Sequence, residues 1–187
     1  MAPDLAPADE LDSAEATLGV LRQVLRGIGP DDLDKQTPCR KFDVAALSDH
    51  LMNSITAIGE AAGAELPQRN SADSLDDQVG AAAGSALAAW RRRGLDGTVM
   101  IGPNEVPAKM MAGILSIEFL VHAWDFAAST GGTVSVPDAL PDYVLGLART
   151  IITPQGRSNV GFDDAVDVAA DAGALDRLIA FTGRQPA

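Results

Sequence analysis

Several residue types are scarce in this chain, and each scarcity narrows what the protein can be. Cys39 is the only cysteine, so no disulfide can form within the chain. There are two histidines, His50 and His122, so a site built on imidazoles must draw on these. Aromatic residues make up 4% of the sequence, which leaves an aliphatic, alanine-rich interior and favours packed helices over sheets. Basic residues number 14 against 26 acidic ones, for a formal net charge of -12. Such a surface repels nucleic acid and anionic membranes. The one basic run, Arg91-Arg92-Arg93, falls at the end of a predicted helix, where cations complement the helix dipole. The opening MAPDLAPADE is acidic and lacks the apolar core of a signal peptide. No apolar run approaches the roughly 20 residues of a membrane span. The expectation is a soluble cytoplasmic protein with no nucleic-acid or membrane partner, its oligomeric state (a homodimer included) left open.

Hydrophobic residues make up 47% of the 187, enough for a sizeable core in one domain spanning 1–187. Residues 1–7 are rich in proline and alanine and are expected to fray. Apolar periodicity predicts helices over about Asp9 to Gly27, Val44 to Ala62, Leu75 to Arg93, Ala108 to Ser129, Asp138 to Ile152 and Ala174 to Thr182. Asp43 stands where a cap belongs, Ser74 directly precedes the third helix, and Gly94 ends that helix. Thr98 to Pro107 reads as a small β-hairpin turning at Gly102-Pro103-Asn104. Residues 154–170 read as irregular or weakly extended. The predicted fold class is mainly α: four long helices over about 9–131, a hairpin before the fourth, and a short helical C-terminal extension over about 132–187.

The stretch Ile117 to Thr130, IEFLVHAWDFAAST, carries the chemistry. Glu118, His122 and Asp125 are spaced four and three apart, so a helix puts them on one face. Apolar residues surround them, and a buried carboxylate there needs a partner. His50 lies on the edge of the second helix's core stripe, roughly 60° from Leu47 by helix geometry. A helix bundle builds metal sites from facing helices, and His50, Glu118 and His122 fit that plan. Two imidazoles and one carboxylate leave coordination positions open, the pattern of a catalytic zinc site. Plainer readings exist for each residue. His50 can be a core histidine bonded to a backbone carbonyl, and Glu118 a carboxylate paired with an arginine of the extension. Asp125 can be a fourth ligand, a surface acid, or a group that orients a ligand or substrate in catalysis. Cys39 can be a nucleophile at a helix N-terminus or a small buried filler.

Several stretches together resemble a known family. Thr37-Pro38-Cys39, then Phe42-Asp43-Val44, Leu47 and Asp49-His50-Leu51 are similar to the TPC-x-x-[WF]-D-V…L-x-x-H-L signature of the DinB-like metal-binding proteins. Within them the resemblance is to the branch near mycothiol-dependent maleylpyruvate isomerase. Glu118-x-x-x-His122 with Trp124-Asp125 resembles that branch's E-x-x-x-H-x-W-D segment, and the ending Leu178 to Arg184 resembles an actinobacterial tail within it. The resemblance implies an up-down four-helix bundle holding a divalent metal, usually zinc, at positions matching His50, Glu118 and His122. It also implies transfer or isomerisation chemistry on a low-molecular-weight thiol, with mycothiol as co-substrate. The isomerase has a larger second domain that this chain does not match, so its substrate is not carried over.

The leading expectation is therefore a divalent-metal-dependent enzyme, with zinc the default ion and nickel or others suited to the same ligands. It would activate a small thiol for attack on an electrophile, with Arg184 as a candidate cofactor-binding residue contacting an anionic group. Metal-dependent hydrolysis through a bound water and a non-catalytic, metal-stabilised binding module are the alternatives.

Overall fold

A computed structural model describes residues 5–157 and 162–186. The expected fraying at residues 1–4 and the irregular stretch at 158–161 lie outside the described residues. Among the described residues the protein is mainly helical, with one two-stranded antiparallel hairpin. The long helices are α1 (Glu10–Leu25), α2 (Val44–Ala61), α3 (Leu75–Arg93) and α4 (Ala108–Ser129). Strands β1 (Thr98–Ile101) and β2 (Asn104–Pro107) form the hairpin, and α5 (Ala139–Ile151) and α6 (Ala174–Phe181) follow α4.

Local chemistry sets the helix boundaries. The Asp9 carboxylate accepts from the Leu11 and Asp12 amides, both at 2.9 Å. Asp43 accepts from Ala46 N at 2.8 Å, so the expected cap is in place, and Ser74 Oγ caps α3 by accepting from Asp77 N at 3.1 Å. Gly94, at φ +80°, takes the chain out of α3 through a backbone shape that suits glycine. The connector between α1 and α2 contains a short 3₁₀ turn at Pro30–Asp32 that helical periodicity does not signal.

α1 packs against α3 and α4, and α2 packs against the same two helices. Leu21, Leu47, Leu51, Ile55, Trp90 and Phe119 are fully buried between them. Trp90 donates its Nε1–H to the Ile58 carbonyl at 3.0 Å, tying α3 to α2. Gly59 lets these two helices approach closely: a Cβ there would fall 2.9 Å from Ala86 Cβ and 3.3 Å from Leu66 Cδ2. Gly59→Ala normally gains about 1 kcal/mol in a helix. Here overpacking costs about 1–3 kcal/mol, so the substitution is expected to lower the urea midpoint. A raised midpoint would contradict this close approach.

α4 is buried on every side. One face joins the interior shared with α1, α2 and α3. Another, carrying Ile117, Leu120 and Val121, joins a second apolar cluster with Val144, Leu178 and Ile179 of α5 and α6. The C-terminal segment is thus a second packed layer as well as an extension. By length and composition α4 is apolar enough to cross a membrane, contrary to the expectation that no segment is, but 83% of that stretch is buried within the protein. A helix apolar all round is one with partners on all sides.

Candidate metal centre

α2 and α4 bring His50, Glu118 and His122 together. One ligand atom from each lies within 4.8 Å of the others, and the group can hold a metal ion. His50 Nε2 is 3.2 Å from Glu118 Oε2, and His122 Nε2 is 3.5 Å from the same oxygen. The imidazoles stand edge to face, 5.3 Å apart and at 88°. Neither contact qualifies as a hydrogen bond. Oε2 is therefore a buried carboxylate oxygen with no hydrogen-bond partner among the described residues, a costly state for an acceptor of full charge. Ligand bonds of about 2.0–2.2 Å place neighbouring donors around one ion about 3.0–3.5 Å apart. The two nitrogen-to-oxygen separations match that edge length, so the donor set and its spacing fit a divalent cation.

The cluster is asymmetric in exposure. The His122 and Glu118 side chains are 4% and 11% exposed, but that of His50 is 34% exposed, so the centre opens on the His50 side. Phe42 stacks on the His50 ring at 5.1 Å and 22°. The loop carrying it is held by hydrogen bonds: Thr37 Oγ1 donates to the Phe42 carbonyl at 2.7 Å, and Gln36 Nε2 donates to the same oxygen at 2.9 Å. The aromatic position of the TPC-x-x-F segment was visible in sequence; its contact with His50 was not.

Asp125 does not converge on the cluster. It is fully buried, so it is not a surface acid. Its Oδ2 lies 2.9 Å from His122 Nδ1. A carboxylate only accepts, so Nδ1 carries the proton and the neutral ring leaves an Nε2 lone pair for a metal. Arg184 grips the same carboxylate with two nitrogens, Nη2 to Oδ2 at 2.8 Å and Nε to Oδ1 at 3.1 Å. Its Nη1 donates to the Thr182 carbonyl at 2.9 Å. Arg184 of the C-terminal segment thus pairs with Asp125, and the charged neighbours of Glu118 are His50 and His122, so the plainer reading of Glu118 as paired with an arginine of the extension is not what the structure has. Arg184 is 5% exposed and all three of its nitrogens are engaged. His50 faces the Glu118 carboxylate across α2 and α4.

Burial alone would raise the Glu118 carboxyl, but His122 and His50 beside it hold it below the usual carboxylate range. Burial would likewise depress His122, yet Asp125 and Glu118 overcome it and raise the imidazole to about 9 in the metal-free protein. Asp125 is lowered, its burial outweighed by His122 and Arg184. At Cys39 burial raises the thiol, outweighing the nearby Arg184 charge. A half-buried thiol raised in this way lacks the lowered pKa that marks an activated nucleophile.

The His122 shift has a consequence for the metal-free protein. Its folded pKa of about 9 lies above the unfolded value of about 6.5. The stabilisation is complete below about pH 6.5 and is lost as pH rises toward about 9, at up to roughly 1.4 kcal/mol per pH unit. With chelator present, the urea midpoint is expected to fall across that window. A midpoint that stays level there would show that His122 does not hold its proton. Metal loading requires the Nε2 proton to leave, so binding is expected to release protons below about pH 9.

Fold and site together define a mainly helical protein with an open-sided cluster of two histidines and one glutamate. No protein-family model matches the chain, and no solved structure matches it. Two uncharacterized proteins, from two strains of Mycobacterium tuberculosis, are each 27% identical over 178 residues. Each alignment spans 94% of this chain and 98% of the relative.

Proposed function

We propose that the chain is an up-down four-helix bundle of DinB-like type and a divalent-metal-dependent enzyme acting on a low-molecular-weight thiol. The observation that carries this reading is the unpartnered Glu118 Oε2 flanked by two imidazole nitrogens. The closed circuit of contacts among α1, α3, α2 and α4 supports the bundle. His50, Glu118 and His122 are the ligands, and zinc is the ion best suited to two nitrogens and one carboxylate with open positions. When bound, such an ion lowers the pKa of a coordinated thiol so that it is held as thiolate. His122 is kept in the ligating tautomer by Asp125, and His50 forms the exposed wall through which a small thiol and its electrophile would enter.

In this reading the partners are small molecules, with neither nucleic acid nor membrane involved, and the setting is cytoplasmic. A mycothiol-like thiol is favoured because the two similar proteins come from a mycobacterium. The test is turnover of a panel of electrophiles by zinc-loaded protein, with and without mycothiol or cysteine. Conjugation that requires both metal and thiol supports the reading. Turnover of esters or amides without thiol would replace it by hydrolysis, and metal binding without turnover by a binding module.

A further inference from the structure

We propose that Arg184 is a positioning residue for the metal centre, so that docking of the segment after α6 and loading of the metal are thermodynamically coupled. This rests on the metal-centre reading above. Asp125 Oδ2 is shared: it receives His122 Nδ1 at 2.9 Å and Arg184 Nη2 at 2.8 Å. The second oxygen takes Arg184 Nε at 3.1 Å. The orientation of His122 is thus fixed by a carboxylate that is itself fixed by a guanidinium 59 residues downstream.

The segment that delivers Arg184 is built for that position. Gly183, at φ +84°, turns the chain, and a Cβ there would fall 2.7–2.8 Å from Asp163. Arg184 N donates to the Ile179 carbonyl at 3.2 Å. Arg157, itself buried, braces the turn, donating to the Asp163 carbonyl at 3.1 Å and the Phe181 carbonyl at 2.7 Å. The Arg184 guanidinium also lies over the Phe162 ring, 5.5 Å from its centroid. Without Arg184, Asp125 is a buried carboxylate free to leave His122 Nδ1. Groups that orient ligating imidazoles typically change metal affinity about 10–100-fold.

Positioning and charge make opposite predictions here. Removing a nearby positive charge should tighten cation binding if charge alone matters, and weaken it if Arg184 acts by holding Asp125. The experiment measures zinc affinity by competition with a chromophoric chelator for wild type, Arg184→Met and Arg184→Lys, with helicity checked by circular dichroism. Weakening of about 10-fold or more in Arg184→Met, with partial recovery in Arg184→Lys, is expected. Equal or tighter binding in Arg184→Met overturns the proposal. Linkage requires the reciprocal effect: zinc should slow hydrogen exchange of the Thr182 to Arg184 amides in wild type. Unchanged exchange there overturns the coupling even if Arg184→Met fails to fold. Absence of zinc binding by wild type removes the metal-centre reading itself, a different outcome from normal binding by the variant.

Discussion

Replacing Glu118 with glutamine is expected to strip the metal from the protein. Glutamine keeps the size of the side chain and removes the charge that draws a cation between His50 and His122. The loss of affinity should exceed the about 10-fold to 100-fold typical of losing a group that merely orients a ligand. His122→Ala should act in the same direction by removing the most buried nitrogen of the cluster. Cys39→Ser should leave metal content unchanged, because Cys39 is not among the converging ligands. Metal analysis after dialysis gives the stoichiometry, and thermal unfolding gives a second readout. An ion at 100 times its Kd stabilises by about 2.7 kcal/mol, so wild type should gain thermal stability on zinc addition and Glu118→Gln should not. Equal metal content in the two proteins would place the ion elsewhere, or nowhere specific.

Asp125→Ala is expected to be the most destabilising single change near the centre, measured with chelator present so that metal does not contribute. Asp125 is fully buried and Arg184 is 5% exposed, so solvent cannot take over the arginine's charge. Breaking a buried pair by removing one partner costs about 3–5 kcal/mol, because the other is left uncompensated. His122 also loses the carboxylate that holds its Nδ1 proton. The second half of the test is the double change Asp125→Leu with Arg184→Met. Replacing both partners by apolar groups is often far less costly than removing one, so the double variant should be more stable than Asp125→Leu alone. If Asp125→Leu alone matches wild type, the pair contributes nothing to stability. Urea unfolding of wild type and the three variants decides it.

Much of the scaffold was legible because local rules govern it. The caps Asp43 and Ser74, the stop at Gly94 and the hairpin turn at Gly102 are all decided within a few residues of themselves. The convergence of Glu118 and His122 followed from helical spacing, and His50 from its place at the edge of an apolar stripe. What could not be read were choices that depend on which surfaces meet. Asp125 and Glu118 are both acids on one face of α4, and periodicity cannot assign Arg184 to either. The turn at Gly183 and the brace from Arg157 decide that, by bringing Arg184 to Asp125, the last of the three polar residues along α4. The stacking of Phe42 on His50 depends on how a non-repeating loop folds over α2. The second apolar layer did leave a signal. Ile117, Leu120 and Val121 point away from the face bearing Leu115 and Phe119, and a helix apolar on both sides needs covering on both.

That double-sided burial also bears on how the protein is made. While the chain emerges in order, α1, α2 and α3 are available to cover one side of α4 as soon as it appears. The other side must wait until α5 and α6 have been synthesised. During that interval the nascent chain displays Ile117, Leu120 and Val121 on a helix whose length and apolarity match a membrane span. Transiently exposed surface of this kind invites self-association. A chain halted after α4 is therefore expected to aggregate more readily than the full chain, even though all three ligands have already been translated.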